Sequence, residues 1–217
     1  MSLLTFPQPL ETGQPADIFR WAADQFGVEN IVVGASFQNA VLVHIAATAV
    51  PDIEIVLLDT QYLFAETKWF AKELTKKFDL NLRIVSPLPH VQADNLWQTD
   101  LDQCCNLRKV EPMKRALEGK LAWATGVRRA NGPTRANIRV QSFDINNNIV
   151  KLNPLAAYTD DDMLRYAQLH ELPVHPLAES GYTSIGCWPC TRAVEVGEDK
   201  RAGRWANNAK VECGLHE

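Results

Sequence analysis

Residues 31–38 read Ile31-Val32-Val33-Gly34-Ala35-Ser36-Phe37-Gln38, and the fold of the whole chain follows from them. Three consecutive branched apolar residues suit a strand buried on both faces, and the small residues after them suit a tight turn. Val41, Leu42 and Ile45 then recur at helical spacing, so the segment is a strand, a loop and a helix. The pattern repeats downstream. Ile53 to Leu58 forms a second buried strand with Asp59-Thr60 at its polar end, Phe64 to Phe78 a helix rich in lysine and glutamate, and Leu82 to Val85 a third strand. Strands alternating with helices imply right-handed crossovers, hence an α/β fold with a Rossmann-like parallel sheet and helices on both faces. In such sheets ligands bind beyond the carboxyl ends of the strands, where Ser36 and Asp59-Thr60 fall.

Upstream, residues 1–14 form a lead-in, followed by a short amphipathic helix from Ala16 to Gln25. Downstream, a helix is expected from Asn106 to about Glu118 and a strand from Leu121 to Val127. Ile138 to Phe143 and Ile149 to Leu152 form a hairpin across Asn146 to Asn148. Thr159, with Asp162 three residues on, caps a helix that runs to about His170 before Pro173 and Pro176 stop it. The expected organisation is one α/β body over residues 1–196 and a mobile, glycine-rich, charged tail over residues 197–217.

With 217 residues and 46% hydrophobic content, the chain can build one substantial core. A net charge of −4 argues against general nucleic-acid binding, which relies on many cations meeting phosphates. No window approaches the ~18 apolar residues of a membrane span, and no basic stretch leads into an apolar segment at the start. A soluble, cytoplasmic protein that binds neither nucleic acid nor membrane is expected. The five cysteines are odd in number and clustered, which favours metal or catalytic use over a disulfide framework.

Cys187-Trp188-Pro189-Cys190 places two thiols one turn apart, and Cys104-Cys105 supplies two more, enough for one coordination shell. Adjacent cysteines normally point apart, so using both on one centre demands a bent backbone and suits a bulky iron-sulfur cluster; zinc is the competing reading. Cys213 stands apart in Glu212-Cys213-Gly214-Leu215-His216, with a glycine beside it and an imidazole three residues on, so its thiol can swing between partners. Ser36, Phe37 and Gln38 occupy a strand-to-helix turn able to hold an anion at a helix N-terminus. Arg108-Lys109, Arg128-Arg129, Arg135, Arg201 and Arg204 are cations at loops and element ends, suited to a nucleotide's phosphate and sulfate.

Taken together, Ser36-Phe37-Gln38, Leu58-Asp59-Thr60, Cys104-Cys105 with Arg108-Lys109, Gly126-Val127-Arg128-Arg129, Cys187-Trp188-Pro189-Cys190, Arg201-Ala202-Gly203-Arg204-Trp205 and Glu212-Cys213-Gly214-Leu215-His216 resemble the assimilatory adenosine 5'-phosphosulfate reductases. These are relatives of the phosphoadenosine phosphosulfate reductases within the adenine nucleotide alpha-hydrolase-like fold, and the resemblance runs from about Ile31 to the end. It implies a 4Fe-4S cluster on Cys104, Cys105, Cys187 and Cys190, and attack by Cys213 on the activated sulfate. AMP is then expelled, an S-sulfonated cysteine forms, and thioredoxin or glutaredoxin releases sulfite. Lys109, Arg128 or Arg129, Arg201, Arg204 and His216 would bind anionic groups, with Ser36, Phe37, Gln38, Asp59 and Thr60 at the nucleotide. Gln61 stands where the family often has glycine, and Ala65 where proline is common. A reductase of the 3'-phosphorylated nucleotide, an enzyme accepting both nucleotides and a zinc-stabilised interaction module are the alternatives, and self-association stays open. A pyrophosphatase-type ligase is disfavoured because Ser36 to Ala40 is no Ser-Gly-Gly-x-Asp-Ser loop.

Overall fold

The apolar run at residue 31 is a strand, β1 (Ile31–Gly34), in which Ile31, Val32 and Val33 are fully buried. Each such side chain stabilises the fold by about 1.5–3 kcal/mol relative to exposure. The computed structural model describes residues 11, 13–206, 210 and 214–215. They fall into two units built from interleaved segments: Met1–Ala35, Val41–Ile55 and Gly119–Leu172 in one, and Ser36–Ala40, Val56–Glu118 and Pro173–Glu217 in the other.

In the first unit, α1 (Pro15–Phe26) opens on proline, whose missing N–H costs nothing at a helix start, and buries Ile18, Phe19, Ala22 and Phe26 at helical spacing. Gly27 ends it at φ 80°, a conformation open to glycine without strain. Helix α2 (Val41–Ala49) follows β1. In the second unit, α3 (Ala65–Phe78) buries Thr67, Phe70, Ala71 and Leu74, and β3 spans Leu82–Val85, as the sequence predicts. Strand β2 (Glu54–Leu58) is divided between the units.

Strand β4 (Ala122–Thr125) pairs in parallel with β1, from Ile31 opposite Ala122 to Gly34 opposite Thr125. It is shorter than the Leu121 to Val127 run suggests: Leu121 is half exposed, and Gly126 ends the pairing. The hairpin forms as expected, with β5 (Gln141–Asp144) antiparallel to β6 (Ile149–Leu152) and β6 parallel to β4. The strand order is β3-β2-β1-β4-β6-β5 in one six-stranded sheet.

One helix departs from expectation. It begins before Asn106, as α4 (Leu96–Thr99) and α5 (Leu101–Cys105); Asn106–Val110 is a π-helical turn, and α6 (Glu111–Ala116) completes it. The cap is Asp100, whose carboxylate accepts the Gln103 N–H at 2.9 Å. Helix α7 (Asp160–Leu169) starts on the expected box, in which Thr159 Oγ1 accepts the Asp162 N–H and Asp162 accepts the Thr159 N–H. Among the described residues, no helix is long and apolar enough to cross a membrane.

A candidate four-cysteine centre

In the second unit, Cys104, Cys105, Cys187 and Cys190 line one cavity, together with Arg108, Lys109 and Tyr62. None of the four is in a disulfide; Cys104, Cys105 and Cys187 are buried and Cys190 is partly so. The π turn begins immediately after Cys105. A π turn inserts one residue into helical register, which supplies the backbone irregularity that two neighbouring thiols facing one space require. The second pair sits on a 3₁₀ turn, Trp188–Cys190, with the Cys190 N–H bonded to the Cys187 carbonyl at 3.0 Å. That turn is fixed from two sides: the Trp188 N–H donates to the Tyr62 carbonyl at 2.8 Å, and the Trp205 N–H donates to the Cys190 carbonyl at 3.0 Å.

Burial pushes the Cys104 and Cys190 thiols up to about 11, opposed by the Arg108 guanidinium at Cys104 and the Lys109 ammonium at Cys190. The Arg108 Nη1 lies 3.9 Å from the Cys104 Sγ. Among the described residues, no three Cys, His, Asp or Glu side chains converge as the ligands of one metal ion. The cavity nonetheless brings the four cysteines to one lining, with Arg108 and Lys109 beside them. A four-cysteine donor set suits zinc or an iron-sulfur cluster.

The residues expected at the nucleotide divide between the units. In the second, Thr60 is buried with its hydroxyl 3.2 Å from the Cys187 Sγ, and Asp59 pairs with Lys68 at 2.9 Å and accepts the Gln61 N–H. Ser36 is exposed, and Phe37 is buried at φ 54°. The Gln38 amide holds a distant loop, donating to the Thr183 carbonyl at 3.1 Å and accepting the Ile185 N–H at 3.2 Å. Lys109, Arg201 and Arg204 gather on the buried Trp205 indole, with their cationic groups 6.0, 5.9 and 4.6 Å from a ring centroid. The chain is thus anchored as far as Trp205, beyond residue 197, where the tail is expected to begin.

In the first unit, Arg128 pairs with Asp160 at 2.8 Å and donates to the Tyr158 carbonyl. Arg129 donates to the Ile138 carbonyl at 2.9 Å. Cys213 and His216 lie outside the described residues. Sequence reasoning passed over Asp94 and Tyr62 as site residues, and placed Arg108 among the cations for phosphate and sulfate, whereas it is buried beside Cys104. Its place beside the sulfur had a usable signal, since it follows Cys104 by four residues and so shares its side of a helix.

Residues 30–193 match the model of the phosphoadenosine phosphosulfate reductase domain family. Among curated proteins, the adenosine 5'-phosphosulfate reductase of Mycobacteroides abscessus is 43% identical over 213 residues, covering 95% of this chain and 90% of its own length. That of Streptomyces coelicolor is 41% identical over 213 residues with the same coverage. Among solved structures, the phosphoadenylyl-sulfate reductase of Candida auris in a phosphate complex superposes with a TM-score of 0.72 at 24% identity, covering 88% of this chain and 99% of that one. The FMN adenylyltransferase of Candida glabrata gives a TM-score of 0.62 at 11% identity, covering 97% and 79%. Both structures are likenesses of fold.

Proposed function

Since the chain belongs to the phosphoadenosine phosphosulfate reductase domain family, we propose that it reduces adenosine 5'-phosphosulfate to sulfite and AMP at the expense of thioredoxin or glutaredoxin, as part of sulfate assimilation in the cytoplasm. The observation that carries this reading is the division of the five cysteines. Four share one cavity, and the fifth, Cys213, stands apart in the tail. The body over residues 1–196 would bind the nucleotide and hold the cluster, and residues 197–217 would carry the nucleophile.

In the first step the Cys213 thiolate attacks the sulfur of the sulfate group. An S–S bond forms, the bond from that sulfur to the phosphate oxygen breaks, and AMP departs with the electron pair. His216, three residues on, stands to take the thiol proton. In the second step one thiolate of the reduced dithiol attacks the Cys213 sulfur and expels sulfite; its second thiol resolves the mixed disulfide and returns Cys213 as a thiol. Ser36, Phe37, Gln38, Asp59 and Thr60 are assigned to the nucleotide edge. Lys109, Arg128, Arg129, Arg201 and Arg204 are assigned to the phosphate and sulfate charges, which guanidinium and ammonium groups bind through short charge-assisted bonds.

Cys104, Cys105, Cys187 and Cys190 would hold a 4Fe-4S cluster. What supports the cluster is that all four cysteines line one cavity with two cations beside them; zinc is the competing occupant, and iron and sulfide analysis separates the two. When bound, the cluster supplies a fixed charge and a cross-link between the α5 segment and the Cys187–Cys190 turn. The chain's own residues meet that charge through the Arg108 guanidinium and the Lys109 ammonium.

The test is anaerobic purification with iron and sulfide analysis, then incubation with sulfur-35-labelled adenosine 5'-phosphosulfate. Four irons per chain, with label that stays on the denatured protein, leaves on adding reduced thioredoxin and is absent from Cys213→Ser, is the expected result. Full turnover by Cys213→Ser would overturn the mechanism. A preference for the 3'-phosphorylated nucleotide in direct competition would move the substrate assignment, a reading that the matched family's name favours.

A further inference from the structure

Arg108 is 1% exposed and ranks among the largest fully buried side chains of the molecule. A buried guanidinium is tolerated only where carboxylate and carbonyl partners surround it. Its Nη2 lies 3.0 Å from Asp94 Oδ1 and 2.7 Å from the Gln92 carbonyl oxygen. Its Nη1 faces the Cys104 Sγ, and its Nε is buried without a partner. The Tyr62 ring lies against the guanidinium, 5.0 Å from centroid to Cζ.

Asp94 is held in turn. Its Oδ1 accepts the Leu96 N–H at 2.9 Å, its own N–H donates to the Tyr62 hydroxyl at 2.7 Å, and that hydroxyl donates to the Asp94 carbonyl at 2.6 Å. The Leu96 amide and the Arg108 guanidinium hold the carboxyl below its ordinary range, so it is ionised at neutral pH. Tyr62 thus grips both halves of the pair: its face rests on the cation and its hydroxyl fixes the backbone of the anion.

We propose that Tyr62 and Asp94 are positioning residues for the four-cysteine centre: together they aim Arg108 at Cys104, and Asp94 limits the positive charge that the Cys104 sulfur feels. This rests on the reading that the cysteines hold an iron-sulfur cluster. Asparagine at position 94 would keep an acceptor for Nη2 and for the Leu96 amide while removing the charge. The full guanidinium charge would then draw electron density from the Cys104 sulfur and weaken its bond to iron.

The experiment compares the anaerobically purified wild type, Asp94→Asn, Asp94→Glu and Tyr62→Phe by iron and sulfide content, by the resonance Raman iron–cysteine stretches, and by the half-life of the visible absorbance in air. We expect Asp94→Asn to load iron, to move an iron–cysteine stretch to lower wavenumber and to shorten the half-life several-fold. Asp94→Glu should restore both readings, and Tyr62→Phe should shift them in the same sense by less. Tyr62→Phe keeps its ring on the guanidinium and decides the matter if Asp94→Asn yields no folded protein. Wild-type spectra and half-lives in both Asp94→Asn and Tyr62→Phe would overturn the proposal while leaving the cluster intact. A wild type without iron would overturn the cluster reading and this proposal with it.

Discussion

Thr60 and Cys187 are 127 residues apart in the chain, yet their side chains meet, with the Thr60 Oγ1 3.2 Å from the Cys187 Sγ. The same oxygen accepts the Tyr62 N–H at 3.3 Å, so the hydroxyl proton is free to point at the sulfur. A donor to a thiolate stabilises the ionised form, and bonds to charged groups contribute about 1.5–3 kcal/mol. With the proposed cluster bound, Thr60→Val, nearly the same shape without the hydroxyl, should lose iron to a chelator roughly ten times faster, a difference of about 1.4 kcal/mol. Thr60→Ser should behave as wild type.

His175 is buried and its tautomer can be read from its partners. Nδ1 accepts the Leu177 N–H at 3.2 Å, so the proton sits on Nε2 and is donated to the Thr67 hydroxyl at 3.0 Å. Burial holds its pKa below the usual histidine value, partly opposed by Glu66. The unfolded chain therefore takes up a proton first, and stability should fall as pH drops through about 6.5, levelling once the folded form also protonates. Urea midpoints at pH 7.5, 6.5 and 5.5 measure this. His175→Gln should lower stability by about 1–3 kcal/mol and flatten the slope in that window.

In metal-free protein, Cys104 and Cys190 at about 11 would be only about one part in a thousand ionised at pH 8. Their alkylation by iodoacetamide, followed by peptide mass spectrometry, should be slow at pH 8 and accelerate with pH up to about 11. Loading of the proposed cluster would displace those protons, so it should also proceed further at pH 9 than at pH 7.

Gly186 and Gly203 should respond differently to alanine. A Cβ on Gly203 would stand 2.2 Å from the Arg192 carbonyl oxygen, in a segment where the Arg192 N–H already donates to the Gly203 carbonyl. The overlap is with backbone, so Gly203→Ala should cost about 1–3 kcal/mol and make the Trp205 region cleavable by protease. The atoms nearest a Cβ on Gly186 would be those of the Arg204 guanidinium, the first at 2.4 Å, the far end of a flexible side chain. Gly186→Ala should melt close to wild type but displace Arg204, raising KM more than it lowers kcat.

The local parts of the fold were legible because the physics is local. The Leu82–Val85 strand and the Thr159-Asp162 box follow from apolar runs and capping chemistry within a few residues. That Cys104-Cys105 and Cys187-x-x-Cys190 line one cavity was suggested by the count of four thiols and by the family resemblance, not by spacing, since the two pairs lie far apart in the chain. The start of the cysteine helix did not, because Asp100 and Asn106 are both good caps and nothing local chooses between them. Gln38 looked like a ligand-facing residue, while its partners Thr183 and Ile185 lie some 145 residues away. Arg108 looked like a cation for the nucleotide's phosphate and sulfate because its counter-ion, Asp94, sits in another loop.

The π turn at Asn106–Val110 makes this helix unusually intolerant of a change in length. Removing one residue there would not shorten a loop; it would let the helix relax to ordinary register and turn Leu101–Cys105 by about 100° against Glu111–Ala116. One of the two vicinal thiols would then swing out of the cavity although every cysteine was still present in the chain. In comparing sequences of this kind, a one-residue gap between the cysteine pair and Pro112 therefore carries more meaning than most substitutions around it.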